Sequence, residues 1–115
     1  MINVEGYDEL NNFIWDNKDK PILLYFGASW CGPCQKLKEK MVEEKDEISN
    51  LVVLHIDCDI EENEDILQDW NVSALPTQIF VHLEDKNVVK DEIIEGFDWI
   101  KLVMSYKKII ENTSD

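Results

Sequence analysis

The chain has 115 residues, 44% of them hydrophobic, which fits a single folded domain over residues 1–115 and argues against a disordered acidic tail. Its formal net charge of −14 argues against nucleic acid and anionic membranes as partners, because both attract clustered Lys and Arg side chains. Three cysteines and the lack of a signal-peptide pattern predict a reducing, cytoplasmic location rather than a disulfide-stapled secreted domain.

The first half of the chain alternates between helical and strand patterns. Leu10, Phe13 and Ile14 recur at helical spacing, Asp8 is the expected N-cap of that helix, and Trp15 is expected to pack with the apolar stripe. The alternation of helices with strands predicts parallel strand pairing through crossover connections. The predicted elements are a helix at Tyr7–Asn17, a strand at Ile22–Phe26, a helix at Gln35–Lys45, a strand at Leu51–Asp57 and a short helix at Ile66–Trp70.

The second half ends in a predicted β-hairpin followed by a helix. The hairpin strands are Thr77–Leu83 and Val88–Ile94, and Asn87 is the turn residue expected to adopt a left-handed conformation. Apolar residues recur at helical spacing throughout Trp99–Ile110. We therefore predict an α/β fold, with a central mixed sheet of four to five strands flanked by four helices. The fifth strand would be a short one at Asn3–Val4.

The segment Trp30-Cys31-Gly32-Pro33-Cys34 joins a predicted strand to a predicted helix. A Cys-x-x-Cys pair in this position is typical of a redox site. The unpaired N–H groups and the positive dipole end of a helix N-terminus stabilise a thiolate, which is the nucleophile in thiol–disulfide exchange. Cys31 is the predicted nucleophile. Cys34 lies one turn later, where it can resolve the mixed disulfide.

A Cys-x-x-Cys pair can also be one half of a zinc site. The other Cys and His residues are His55, Cys58 and His82. His55 and Cys58 are three residues apart at the end of a predicted strand, and an extended chain would point them to opposite faces. We therefore expect no metal site. Cys58 is predicted to be a small buried apolar side chain, and the alternative is a regulatory or dimer-forming thiol.

The order of elements and three motifs resemble the thioredoxin family over nearly the whole chain. The motifs are Phe26 to Cys34, Ala74-Leu75-Pro76-Thr77 and Glu95-Gly96-Phe97. The resemblance implies a thioredoxin fold, a cis peptide bond before Pro76 opposite the cysteine pair, and a glycine, Gly96, that flattens the substrate groove. It also implies a dithiol–disulfide oxidoreductase that reduces protein disulfides, because Gly-Pro between the cysteines is typical of the reducing members.

The resemblance further implies which residues contact substrate and which partners take part. An extended substrate chain would pair with the backbone of Leu75, as in strand addition. A thioredoxin reductase or an equivalent donor would restore the dithiol. The chain has no nucleotide-binding glycine motif, so we expect no cofactor besides the Cys31–Cys34 disulfide, and we expect a monomer. The implied substrate-binding residues are Trp30, Gly32, Pro33, Leu75, Pro76 and Gly96.

The chain departs from the family near the cysteine pair. Tyr25 occupies the position where many members have a buried aspartate, which is thought to accept the proton of the resolving cysteine. His55 occupies the position of a neighbouring lysine. A phenol titrates near pH 10, whereas an imidazole titrates near 6.5, so His55, through Tyr25 or a water, is a candidate for proton transfer. The alternative is a packed Tyr–His pair without a catalytic role.

Two other functions are compatible with this sequence. The same chemistry could run in reverse, in an oxidase or isomerase, which a measured reduction potential would distinguish. Alternatively, the chain could be a binding subunit whose cysteines are incidental, which an insulin-reduction assay would distinguish. The Gly32-Pro33 pair and the missing signal-peptide pattern favour the reductase.

Overall fold

The computed structural model describes residues 1–113, which form a five-stranded sheet and four α-helices. In that part of the chain, no helix combines the length and apolar character needed to span a bilayer. The strands are β1 (Ile2–Val4), β2 (Ile22–Gly27), β3 (Val52–Asp57), β4 (Thr77–Glu84) and β5 (Asn87–Glu95). The helices are α1 (Gly6–Asp16), α2 (Gly32–Glu43), α3 (Glu64–Asp69) and α4 (Trp99–Thr113).

The strands lie in the order β1-β3-β2-β4-β5. β1, β2 and β3 are parallel to one another, whereas β4 is antiparallel to both β2 and β5. The parallel half follows from the crossover connections through α1 and α2, and the antiparallel half from the β4–β5 hairpin. The predicted mixed sheet, with its fifth strand at the N-terminus, is confirmed.

The central strand β2 is buried along its whole length because helices cover both faces of the sheet. Ile22, Leu24 and Phe26 point into a core shared with α1 and α3. Leu23 and Tyr25 point into the opposite core, which α2 and α4 close. The alternation places Tyr25 on the face that carries the cysteine pair.

Helix α1 begins earlier than predicted, and Asp8 is not its cap. Glu5 is the N-cap residue and makes no side-chain cap hydrogen bond, while Gly6 has a φ of +84°, a conformation that suits glycine. The Gly6 N–H donates to Oδ1 of Asn63, 2.8 Å away and 57 positions along the chain. Asn63 is fully buried and its amide also donates to the carbonyls of Val4 and Asp57.

The apolar stripe of α1 is narrower than predicted. Leu10 and Ile14 are buried, but Trp15 is 48% exposed, so the prediction that it packs in the core is wrong. Trp15 lies one position past Ile14, about 100° around the helix, and therefore points away from the sheet. Its ring instead lies 4.4 Å from the ammonium of Lys18.

The β4–β5 turn is tighter than predicted. Glu84 pairs with Asn87, so Asn87 belongs to β5 and only two residues form the turn. The left-handed residue is Asp85, with a φ of +58°, and not Asn87. A two-residue hairpin loop takes its positive φ inside the loop, and Asp tolerates that conformation.

Strand β5 lies at the edge of the sheet and contains an irregularity opposite β4. Phe80 pairs with Glu92, whereas Val81 pairs with Lys90. Asp91 is thus an extra residue in β5, which is the arrangement of a β-bulge.

Candidate active site

The cysteine pair lies where β2 leads into α2. Cys31 is the N-cap residue of α2, its Sγ accepts a hydrogen bond from the Cys34 N–H at 3.2 Å, and the two cysteines form a disulfide. The helix starts at Gly32, three residues before the predicted Gln35, because Pro33 is well suited to a first turn, where no N–H is needed. Cys34 is completely buried and Cys31 is 6% exposed, so Cys31 is the sulfur nearer to solvent.

Trp30 stands at the rim of the disulfide. Its side chain is 69% exposed, and its indole N–H donates to Asp59 Oδ1 at 3.0 Å. Gly32 is uncrowded, since an added Cβ would meet nothing within 4 Å. Cys31 is therefore flanked by an exposed indole and an uncrowded glycine. Asp59 was not singled out from the sequence, where it belongs to a polar connection without a motif.

The loop before β4 reaches the same end of the sheet. Thr77 pairs with Phe26, which places Pro76 beside the start of the cysteine segment, and the Leu75–Pro76 peptide bond is cis. Leu75 packs against both cores. The Gly96 N–H donates to the Pro76 carbonyl at 2.8 Å, with a φ of +85° at Gly96. The structure therefore brings together the residues that the sequence assigned to substrate binding.

Tyr25 lies directly beneath the first turn of α2. Its hydroxyl donates to the Cys34 carbonyl at 3.0 Å, and its ring stacks on His55 with centroids 4.9 Å apart. Burial, followed by the charge of Asp57, raises the pKa of Tyr25 to about 12. The phenol is therefore protonated at neutral pH and acts as a hydrogen-bond donor. It is not a proton acceptor there.

Space for the Tyr25 ring depends on Gly27. A Cβ built on Gly27 would lie 2.6 Å from the Tyr25 hydroxyl oxygen and 2.8 Å from the ring carbon that bears it. Both distances are shorter than side-chain contacts allow. An aromatic residue at position 25 therefore requires a glycine at position 27.

His55 is half-buried on β3, and its Nδ1 lies 3.1 Å from Asn3 Oδ1. Burial, and secondarily the charge of Lys38, lowers the pKa of His55. The imidazole is therefore neutral at pH 7 and stacked on Tyr25. Its part in proton transfer remains a prediction.

Opposite pH effects are expected from the two histidines. Because the folded pKa of His55 is lowered, the unfolded chain binds more protons there, and stability falls as the pH drops through about 6.5. Hydrogen bonding to Asp91, 2.8 Å away, raises the pKa of His82, so His82 adds stability below about pH 6.5 that is lost as the pH rises. His55→Asn should reduce the stability lost between pH 7 and 5, and His82→Asn should increase it. Urea unfolding across this range measures both, and equal pH slopes in the two variants would contradict the assignment.

Gln78, like Asn63, is a fully buried polar residue that sequence reasoning missed. It is fully buried in β4, and its Nε2 donates to the Gly96 carbonyl at 3.1 Å. The available signal was an amide side chain directly before the apolar run Ile79–Val81 in the predicted strand Thr77–Leu83. It lies on the same face of the sheet as its register partner, Tyr25.

Within residues 1–113, the Cys and His side chains considered as zinc ligands do not come together as one group. His82 lies toward the end of β4 that is away from the cysteine segment, and it is hydrogen-bonded to Asp91 and Glu84. Among residues 1–113, one group of three possible ligands lies close together, the consecutive Asp57, Cys58 and Asp59, within 4.8 Å of one another. Exposed carboxylates commonly cluster without a metal, so this group is not assigned a site.

Cys58 is partly buried and packs against the core that contains the disulfide. Burial, then the carboxylates of Asp59 and Asp57, raises the pKa of its thiol, which disfavours the reactive thiolate. Cys58→Ala is expected to retain full activity and to lose about 1 kcal/mol of unfolding free energy, as is usual for one small substitution. Turnover and urea unfolding measure this. Loss of turnover with an intact fold would give Cys58 a role in the reaction.

Comparison with known proteins agrees with this geometry. A family model described as thioredoxin matches residues 3–107. Thioredoxin-T of Drosophila melanogaster is 36% identical over 105 residues, covering 91% of this chain and 64% of that protein. Thioredoxin H-type 2 of Nicotiana tabacum is 31% identical over 116 aligned positions, which cover 99% of this chain and 93% of that protein. The chain thus spans nearly all of the second relative but less than two thirds of the first.

Solved structures confirm the predicted fold. Trichomonas vaginalis thioredoxin superposes with a TM-score of 0.82 at 24% identity, covering 95% of this chain and 96% of that chain. Fasciola hepatica thioredoxin superposes with a TM-score of 0.78 at 27% identity, covering 94% of this chain and 98% of that chain. A chain of the complex between ferredoxin:thioredoxin reductase and thioredoxin f2 superposes with a TM-score of 0.77 at 22% identity. The match covers 94% of this chain and 93% of that chain.

Proposed function

The chain belongs to the thioredoxin family, and we propose that it reduces disulfide bonds in other proteins. The observation that carries this proposal is the Cys31–Cys34 disulfide at the N-terminus of α2, with the Cys34 N–H directed at Cys31 Sγ. The same N–H stabilises negative charge on Cys31 when the disulfide is open. The chain's residues thus provide both a nucleophile and a second thiol to complete the exchange.

The proposed reaction begins with the reduced pair. The Cys31 thiolate attacks one sulfur of a substrate disulfide, the substrate S–S bond breaks, and the departing substrate sulfur takes up a proton. Cys34 then loses its proton and attacks Cys31 Sγ, which releases the second substrate thiol and forms the Cys31–Cys34 disulfide. Two electrons and two protons pass to the substrate.

The proposed substrate surface consists of exposed and flat groups around Cys31. Trp30 would contact the substrate on one side, and the loop that contains Leu75 and Pro76 would contact it on the other. Pairing through the backbone of Leu75 would not depend on the substrate's side chains, which would let one site serve many proteins. Gly32, Pro33 and Gly96 add little bulk near the sulfur.

Regeneration requires an external dithiol donor. We propose a thioredoxin reductase or an equivalent reductant in a reducing compartment such as the cytoplasm, with the Cys31–Cys34 disulfide as the redox group. The structural likeness to a chain of a reductase–thioredoxin complex supports a partner of this class. Gly32 and Pro33, between the cysteines, support the reducing direction by family resemblance.

Insulin reduction driven by dithiothreitol tests the proposal. Catalytic amounts of the protein should accelerate precipitation of the insulin B chain over dithiothreitol alone. A binding subunit would give no acceleration. An oxidase would instead oxidise reduced substrates, and its equilibrium with glutathione would lie far on the dithiol side.

A further inference from the structure

Gln78 has an unusual hydrogen-bonding state. Its side chain is completely buried, and among residues 1–113 its Oε1 is the one buried side-chain oxygen or nitrogen without a hydrogen-bond partner. The orientation of the amide is fixed, because Nε2 donates to the Gly96 carbonyl at 3.1 Å. A flipped amide would place two acceptor oxygens against each other. A buried acceptor without a donor is costly, so it calls for an explanation.

Gln78 lies on the face of the sheet that the cysteine pair covers. Its register partners are Tyr25 on β2 and Ile94 on β5, and successive partners across a sheet share one face. Tyr25 and Ile94 both belong to the core cluster that contains Cys34. The Tyr25 hydroxyl is already bound to the Cys34 carbonyl, 3.0 Å away. Gln78 therefore shares a face of the sheet with Cys34, and its register partner Tyr25 already donates its hydroxyl hydrogen elsewhere.

Reduction adds a donor to this core. Opening the Cys31–Cys34 disulfide takes up two electrons and two protons, breaks the S–S bond and leaves a thiol on each cysteine. Cys34 is completely buried, so its new S–H group cannot reach water. A thiol is a weak donor and a disulfide sulfur is not a donor. We propose that Gln78 Oε1 accepts a hydrogen bond from the Cys34 thiol in the reduced protein, and that Gln78 thereby favours the dithiol form.

This role makes Gln78 a positioning residue for the resolving cysteine. In the disulfide state its oxygen is buried without a donor, which is unfavourable, and in the dithiol state it accepts a hydrogen bond. Reduction therefore removes an unfavourable term in the free energy of the protein. The inference deepens the proposed function, but it requires only that the Cys31–Cys34 disulfide can be reduced. It can therefore be tested without any protein substrate.

The first test is the equilibrium between the cysteine pair and glutathione, in which two glutathione thiols become one glutathione disulfide as the protein disulfide opens. Gln78→Leu keeps a similar volume and removes the acceptor, and it should shift the equilibrium toward the protein disulfide by about three- to tenfold. Loss of the bond to Gly96 affects both redox states and largely cancels. Ile79→Val, a buried change in the same strand on the opposite face, should leave the equilibrium unchanged. An unchanged equilibrium in Gln78→Leu would overturn the proposal, even if insulin turnover were normal.

The second test observes the thiol directly. In the Cys31→Ser/Cys58→Ala background, Cys34 is the sole thiol, because the chain has three cysteines. Hydrogen bonding lowers the frequency of the S–H stretching band in the infrared spectrum. Adding Gln78→Leu to this background should raise the frequency of the Cys34 band, and the added Ile79→Val control should not. A band that Gln78→Leu does not move would show that the Cys34 thiol bonds elsewhere, and would overturn the proposal.

Discussion

Cys31→Ser is expected to lower the rate of insulin reduction by about 1,000-fold or more, to the background of dithiothreitol alone, because the attacking thiolate is lost and the remaining Cys34 is completely buried. Cys34→Ser should also stop turnover, but by a different route. Its Cys31 thiolate still attacks, and the mixed disulfide then persists because no second thiol displaces it. Non-reducing electrophoresis after incubation with insulin should show a covalent adduct with Cys34→Ser and none with Cys31→Ser.

The two serine variants act as controls for each other, since both lose one sulfur at the same junction. The Cys34→Ser/Cys58→Ala variant excludes an adduct formed through Cys58, the third cysteine. Equal trapping by both single variants would contradict the order assigned to the two cysteines.

Gly27→Ala is expected to lower the unfolding free energy by about 2–3 kcal/mol, at the upper end for overpacking a core. The added Cβ would meet the Tyr25 hydroxyl at 2.6 Å and the adjoining ring carbon at 2.8 Å. The ring cannot easily move away, because it stacks on His55 and its hydroxyl is bound to Cys34. Urea unfolding of the oxidised protein measures the loss.

A double-mutant cycle identifies the source of this loss. Tyr25→Leu removes the whole clash and should recover most of the cost of Gly27→Ala, whereas Tyr25→Phe should recover less because the ring atoms remain. Gly32→Ala serves as the stability control, since its added Cβ meets nothing within 4 Å. Additive losses in Gly27→Ala/Tyr25→Leu would show that the glycine is needed for another reason.

Local patterns predicted the elements of the fold well. The apolar run in β2 is continuous because helices cover both faces of the sheet. The apolar residues of α4 recur at helical spacing because one side of that helix packs on the sheet. The cysteine pair was predictable because its chemistry depends on neighbours in sequence. The five residues of that segment place the disulfide at a helix N-terminus regardless of distant contacts.

Features set by distant residues were not predictable. The start of α1 depends on Asn63, which satisfies the Gly6 N–H from another part of the chain, and this made Asp8 unnecessary as a cap. The left-handed position moved to Asp85 because strand pairing extended to Glu84 and Asn87. Gln78 was overlooked because its significance lies in the atoms around it, which a strand pattern does not reveal.

The bulge in β5 has a consequence for self-association. A free sheet edge offers unpaired backbone groups to which a second copy of the chain can add a strand. Here Asp91 is out of register, and it lies between the charged Lys90 and Glu92, so a second strand would have to bury charge against an irregular backbone. Ordered polymerisation along β5 is therefore disfavoured even in concentrated solution. The other edge strand of the sheet, β1, offers only the three residues Ile2–Val4 for such pairing.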